Sequence, residues 1–359
     1  MNFDTDKPYN ELPDILPDET YYHLLCIYEQ ANKANRALAE LKGRLSAIPN
    51  PKIFINTLSL QEAKDSSSIE NVFTTNDKLF KAFTVDSAAD SHTREVLRYG
   101  KALVDGFRVI KSGSKFSVEL IERIYRNIKD EKDRIRGFPV YIGTDYMKIY
   151  TPPCCKDVIL GKLDNWISVA NSKSDEVDPL IKMAILHYQF EAIHPFRDGN
   201  GRTGRVINVL LLSAYDLLDE PVLYLSKYIN ENKNEYYRLL LDVTKSRKWE
   251  EWILFMLKAV EDTSKHTLKK VLSIIELFEE TKEKVQREAR EVYSFELMEI
   301  LFSQVYCKYA FLVDNGIASR NTANKYLNRL VDIGILEKEK VGKEFIFKNK
   351  GLYEILKKE

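Results

Sequence analysis

Apolar residues recur at three- and four-residue intervals along most of the chain, a period that lays them on one face of a helix. The expected class is therefore mainly α. Residues 18–45 place Leu24, Leu25, Ile27, Tyr28, Ala31, Leu38 and Leu41 on one such face, which ends at Gly43 and then at Pro49 and Pro51. Leu58 to Phe83 holds the cluster DSSSIEN and a second short apolar pattern at Leu79, Phe80 and Phe83. The same period predicts helices over Ser91–Ile110, Ser117–Ile128, Leu163–Ala170, Pro179–Ile193, Arg202–Leu218, Glu231–Val243 and Trp249–Val260. It breaks at Gly137, Pro139 and Gly143. There Val140–Ile142 and Met147–Tyr150 are β-favouring runs separated by Gly-Thr-Asp, which predicts a hairpin or extended flap over 136–150, closed by Pro152 and Pro153. Residues 261–292 are highly charged, with Ile274, Ile275 and Leu277 as the main apolar patch, and read as a connecting helix. Beyond them, Ser319 as N-cap, a helix over Ala323–Leu330 ending at Gly334, and a ribbon over Ile335–Lys348 turning at Val341-Gly342-Lys343 spell a winged helix. The implied division is 1–110, 111–260, 261–292 and 293–359.

Composition narrows the function. Fifty-four Lys and Arg balance fifty-four Asp and Glu in 359 residues, so the whole chain carries no electrostatic footprint for nucleic acid or an anionic membrane. The N-terminus is acidic and broken by proline, unlike a secretory signal, and the longest apolar run, Val206 to Leu218, is too short to span a bilayer and contains Asp216. Cysteines 26, 154, 155 and 307 form no CxxC pair, which suggests neither a zinc knuckle nor a disulfide framework. A cytoplasmic protein is expected. Glycine is scarce, yet Gly199, Gly201 and Gly204 of the chain's 14 fall within six residues.

Those glycines belong to HPFRDGNGRTGR, residues 194–205. Pro195 disfavours helix in the residue before it, which leaves the His194 imidazole at a helix end. Gly199-Asn200-Gly201 can fold into a nest of backbone N–H groups, and a helix beginning near Arg202 adds its own uncapped amides and dipole, so an anion is attracted there. Arg202 and Arg205, three apart on the first turn, can clamp phosphates. Asp198 can hold a magnesium ion shared with phosphate oxygens, and His194 supplies a base of pKa about 6.5 when unperturbed. Base, metal ligand, anion nest and paired guanidinia describe a nucleotide-dependent transferase. His187, Glu191 and His194 also offer a metal-hydrolase reading, but no HExxH is present.

The segment resembles, without a mismatch, the Fic-domain signature HPFx[D/E]GNGRxxR. The resemblance implies a helical bundle with the motif loop between two central helices, and transfer of AMP from ATP to a hydroxyl side chain (Tyr, Ser or Thr) of a target protein. It implies that His194 takes the hydroxyl proton, Phe196 anchors the loop in the core, and Asp198 ligates magnesium. Gly199, Asn200, Gly201, Arg202, Thr203, Gly204 and Arg205 would form the phosphate site. A phosphorylating branch of the family has Lys where this chain has Gly201, so Gly201 favours nucleotidyl transfer; other phosphate-containing groups, or removal of AMP, are alternatives.

The likeness extends over about residues 10–260. DSSSIEN resembles the inhibitory signature [S/T]xxxE[G/N], with Ser66, Glu70 and Asn71 in the fixed positions, on a helix expected at about 57–71. The resemblance implies that Glu70 pairs with Arg205 and denies it to the γ-phosphate. The 136–150 flap matches the family element that holds a target segment by strand addition. Tyr236 or Tyr237 would line the adenine pocket, and self-modification is expected. In the winged helix, Arg320 to Lys350 holds eight Lys or Arg against four Asp or Glu. Arg320, Asn321, Asn324, Lys325, Arg329 and Lys343 could reach DNA, so the rival function is a DNA-binding regulator whose Fic domain only senses nucleotide. The winged helix could equally dock a protein or form a homodimer.

Overall fold

The computed structural model describes residues 4–46, 52–85, 89–131, 134–144, 147–172 and 176–358. Pro49, Pro51 and Asp145, expected to end a helix and to turn the flap, lie outside the described residues. A 3-10 turn at Glu19–Tyr21 precedes α1 (Leu25–Ser46), α2 (Lys52–Ile69), α3 (Asn76–Thr84), α4 (Ser91–Lys111) and α5 (Val118–Lys129). The flap follows, β1 (Ile142–Thr144) paired antiparallel with β2 (Met147–Tyr150), Ile142 opposite Tyr150. Next come α6 (Lys156–Asn171), α7 (Pro179–Ile193), α8 (Asn200–Ala214), α9 (Leu225–Glu231), α10 (Lys233–Ser246) and α11 (Trp249–Glu288). The C-terminal unit holds α12 (Phe295–Ser303), β3 (Tyr306–Cys307), α13 (Tyr309–Asp314), α14 (Arg320–Asp332), β4 (Leu336–Val341), β5 (Glu344–Asn349) and α15 (Lys350–Lys357), with strand order β3-β5-β4. Among the described residues no helix is long and apolar enough to cross a membrane.

The bundle is built around α7 and α8. Asp178 accepts from the N–H groups of Leu180 and Ile181, Pro179 sits at the first helical position, and nearly every α7 residue is buried. A helix that is apolar all round belongs in the centre of a core. The indole N–H groups of Trp166 on α6 and Trp252 on α11 donate to the Leu186 and Ala184 carbonyls, both at 2.8 Å, fixing α7 between its neighbours. On α4, Gly106 lets α8 approach closely, for a Cβ there would stand 3.0 Å from a Leu210 methyl.

Several boundaries differ from the sequence expectation. Gly43 does not stop α1, which runs on to Ser46 because Leu41 and Leu45 are both buried. The Trp249–Val260 helix and the charged 261–292 segment form one 40-residue helix, since Val271, Ile274, Thr281 and Val285 keep one face buried along its length. At about 1.5 Å per residue it is some 60 Å long. α9 and α15, neither expected, are short helices with few buried apolar residues, Leu225 and Ile229 in the first and Leu352 and Leu356 in the second.

The C-terminal unit rests on α2 and α3. Asn56 Nδ2 donates to the Ser303 carbonyl at 3.2 Å. The Tyr306 hydroxyl donates to Asp77 at 2.6 Å, its carbonyl accepts from Thr84 Oγ1 at 3.1 Å, and Lys81 pairs with Glu339 at 2.5 Å. Gln61 joins three elements: it accepts from Tyr224 Oη at 2.8 Å and Lys270 Nζ at 2.9 Å and donates to the Leu356 carbonyl of α15. Of the residues expected to reach DNA, Arg329 is held by Glu291 and the Glu288 carbonyl, and Arg320 lies 4.8 Å over the Tyr309 ring. Gln61→Ala leaves two buried polar groups, the Tyr224 hydroxyl and the Leu356 carbonyl, and the half-buried Lys270 ammonium without this partner and is expected to cost about 1–3 kcal/mol. Urea unfolding checks it: a midpoint unchanged from wild type contradicts the role given to Gln61.

Candidate active site

α7 ends because His194 adopts a left-handed backbone, φ 48° and ψ 61°, with its N–H bonded to the Phe190 carbonyl at 3.0 Å. A non-glycine residue pays roughly 1–2 kcal/mol for that conformation. The turn that follows is pinned from inside. Phe196 is fully buried and stacks on Tyr125, centroids 3.9 Å apart. The Asn200 side chain accepts from Phe196 N–H at 2.8 Å and returns a bond to the Phe196 carbonyl at 2.9 Å. Gly199 then takes φ 77° as the N-cap of α8, a position with no side-chain cap. The helix starts at Asn200, two residues before the expected Arg202, and its first amides form an uncapped anion site.

A carboxylate stands over that site. Glu70 Oε1 lies 2.8 Å from Arg205 Nη2 and 2.5 Å from where a Gly201 Cβ would be. Arg205, 1% exposed, also donates from Nε to Ser66 Oγ at 2.8 Å and from Nη2 to the Ser66 carbonyl at 3.0 Å. The local fold explains the spacing of Ser66, Glu70 and Asn71. α2 closes in a Schellman pair, Val72 N–H to the Ser67 carbonyl and Asn71 N–H to the Ser68 carbonyl, with Asn71 at φ 60°. Only a residue that tolerates the left-handed region can follow Glu70 there. The helix is α2, beginning at Lys52 rather than near 57, and Glu70 occupies its terminal turn.

The two motif arginines do not form one clamp. Arg202 turns to α4 and pairs with Glu95, its Nη2 being 3.9 Å from Asp198, whereas Arg205 turns to α2. Asp198 Oδ1 accepts from the Gly199 N–H at 2.6 Å, and Oδ2 pairs with Lys129 at 2.7 Å. These partners hold its carboxyl below the usual range despite partial burial. Thr203 Oγ1 bonds the Gly199 carbonyl at 2.9 Å, and Gly204 faces away from the nest, against Glu191, Phe190 and His187 on α7. Gly204 therefore serves close helix packing.

His194 Nδ1 lies 3.3 Å from the Glu191 carbonyl, an acceptor only, so Nδ1 carries the proton and Nε2 is the basic nitrogen. Burial, with a smaller effect of Arg136, lowers its pKa to about 4, below the near-neutral value expected from sequence. His187, Glu191 and His194 do not converge on a metal. His187 Nε2 bonds Tyr236 Oη at 2.9 Å, its ring stacks on Trp252, and among the described residues no group of three His, Cys, Asp or Glu could hold a metal ion.

A groove of about 320 Å³ opens between the flap and α10, lined by Ile142, Tyr150, Tyr188, Glu191, Tyr237 and Leu240. Tyr237, partly exposed, belongs to it; Tyr236, buried on His187, does not. Glu95, Lys129 and Arg136 enter the site without any signal in the sequence. Each sits in an ordinary helical or loop pattern, and only its partner in space distinguishes it.

Glu191 Oε1 is buried without a hydrogen-bond partner, and burial pushes the carboxyl up to about 8. A raised folded-state value stabilises below the unfolded value near 4.5, and that stabilisation is lost as pH rises towards 8. Glu191→Gln is thus expected to gain stability relative to wild type across this window, by at most about 1.4 kcal/mol per pH unit. Parallel thermal melts from pH 5 to 8 check it; a difference that does not change with pH refutes the assignment.

Comparisons with known proteins agree with this geometry. The Fic/DOC family N-terminal profile matches residues 28–108, the Fic/DOC family profile 115–212, and the profile of the protein adenylyltransferase SoFic-like C-terminal domain 277–352. The protein adenylyltransferase Fic of Drosophila virilis is 23% identical over 266 residues, covering 65% of this chain and 52% of its own length. The protein adenylyltransferase fic-1 of Caenorhabditis elegans is 30% identical over 139 residues, covering 36% of this chain and 24% of its own. The chain thus spans about half, or less, of these relatives. Among solved structures, a Fic family protein from Desulfovibrio desulfuricans G20 shares the fold at TM-score 0.57 and 18% identity, over 91% of this chain and 97% of that one. Fic-1 from Caenorhabditis elegans shares it at TM-score 0.53 and 18% identity, over 70% and 74%. With the motif loop, the two central helices and the C-terminal unit all matched, the chain belongs to the Fic family.

Proposed function

We propose that this chain transfers AMP from ATP to a hydroxyl side chain of a protein and that Glu70 holds it inactive. The observation that carries this reading is the Glu70 carboxylate lying between Arg205 and Gly201, over the uncapped start of α8. A carboxylate there occupies an anion site that an incoming phosphate would need.

When Glu70 withdraws, Arg205 offers its guanidinium to the γ-phosphate, and the amides at Asn200 to Arg202 hold the phosphates behind it. His194 Nε2 then takes the proton of a Tyr, Ser or Thr hydroxyl, and that oxygen forms a bond to the α-phosphorus as the bond to pyrophosphate breaks. Neutral imidazole is the form required, and a pKa near 4 keeps it neutral at physiological pH. Asp198 is the residue that would hold magnesium: its carboxylate is ionised and its side chain 67% exposed. A single carboxylate fits an ion whose remaining ligands are phosphate oxygens and water. Bound there, magnesium would offset the charge developing on pyrophosphate. The apolar groove beside the flap suits a purine ring, with Tyr237 on its wall. Exposed Tyr141 and Met147 on the flap suit a target segment added as a strand.

His194→Ala is expected to abolish transfer of labelled AMP while leaving magnesium-ATP affinity within about threefold, because the phosphate ligands are other residues. Glu70→Gly should raise transfer, including self-modification, by about tenfold or more, and Arg205→Ala should cancel that gain in the double mutant. A labelling assay on the single and double mutants checks both. An unaltered rate in Glu70→Gly would overturn the inhibitory role, and transfer by His194→Ala within tenfold of wild type would overturn the base.

A further inference from the structure

Arg136 stands at the entrance to the flap and is 3% exposed. Its Nε donates to the His194 carbonyl at 2.8 Å, Nη1 to the Phe138 carbonyl at 2.9 Å, and Nη2 to the carbonyls of Pro153 at 2.7 Å and Ile193 at 3.3 Å. Its main-chain N–H donates to the Pro195 carbonyl at 3.0 Å. The Tyr150 hydroxyl, on the second flap strand, donates to the Ala192 carbonyl at 2.7 Å. Four successive carbonyls, from Ala192 to Pro195, are thus bound by the segment 136–153.

Among the described residues no carboxylate pairs with this guanidinium. The partial negative charge at the C-terminus of α7 takes that part. One planar fork therefore reaches three places, the flap entrance at Phe138, the flap exit at Pro153 and the left-handed turn at His194. A lysine ammonium has three donors at a single point and cannot span them.

We propose that Arg136 is a positioning residue that fixes the His194 turn and couples it to the seating of the flap. Displacing the flap removes two of the guanidinium's four carbonyls, so the base and the strand that would carry the target hydroxyl move together. The charged and polar groups facing His194 are Arg136 from the flap base, the Glu191 carbonyl on α7, Glu70 from α2 and Asp198 from the loop. The inference rests on the reading of His194 as the base.

The test uses the full chain carrying Glu70→Gly, with Arg136→Lys added, and Arg136→Gln as a second variant should the lysine protein not fold. Nitrogen-15 spectra of the nucleotide-free protein follow the His194 imidazole, identified by its loss in His194→Ala. The expected result is an upward move of its titration midpoint towards about 6.5. With it should come a fall of about tenfold or more in transfer rate at saturating ATP, at an ATP dissociation constant within about twofold. An unchanged imidazole titration overturns the proposal, as does a rate loss matched by loss of ATP affinity or of folded protein. If the Glu70→Gly protein itself transfers no AMP, the functional reading fails, and the imidazole titration alone decides the role of Arg136.

Discussion

A guanidinium cannot be left alone in a protein interior, and the buried Arg205 sets the terms for the rest of this fold. Its charge is met by Glu70, and its Nε and Nη2 also donate to Ser66 near the end of α2. Removing one partner of a fully buried pair costs about 3–5 kcal/mol. Glu70 is about one-third exposed, so its loss costs less. The pair therefore orders the end of α2 while its carboxylate stays in reach of solvent.

The position of Glu70 depends on how α2 is seated. Glu62, one turn before Ser66, is fully buried, accepts from Tyr99 Oη on α4 at 3.1 Å and from Ser226 N–H on α9 at 3.0 Å, and is pushed up to about 7 by burial. Gln61 beside it reaches α11 and the last helix of the C-terminal unit. The helix that carries Glu70 is thus clamped on one side by the helical bundle and on another by the C-terminal unit. A winged helix with Arg329 tied to Glu291 beside the end of α11 and its sheet edge paired to α3 is built into the body of the molecule.

The motif loop was legible because its physics is local. Proline after His194, glycine at Gly199 and an amide side chain at Asn200 act on backbone within a few residues, so a helix end, a turn and a helix start follow from the letters alone. The same holds for Asn71, whose tolerance of positive φ ends α2 directly behind Glu70. The flap was expected as a hairpin, but its first strand is Ile142–Thr144 rather than Val140–Ile142, with a register shift after Ile142. Other readings failed where local rules met a neighbour. Gly43 did not stop α1, and the charged stretch after Val260 continued α11, because burial against another helix outweighs one glycine or several surface charges.

Sequence by itself therefore determined the helical class and, through the motif and the resemblance of DSSSIEN, pointed to residues 194–205 and Glu70 as parts of one site. Only the tertiary structure gave Arg202 to Glu95 and Asp198 to the Lys129 ammonium, and it shows the Glu70–Arg205 pair that the resemblance implied. It alone separated Tyr236 from Tyr237, and it alone brought Arg136 to the His194 carbonyl. The physical reason is one of range. Backbone preferences and caps act over one turn and are written in adjacent residues, whereas ion pairs and desolvation depend on distance through space, and helices far apart in the chain meet only when the core is packed.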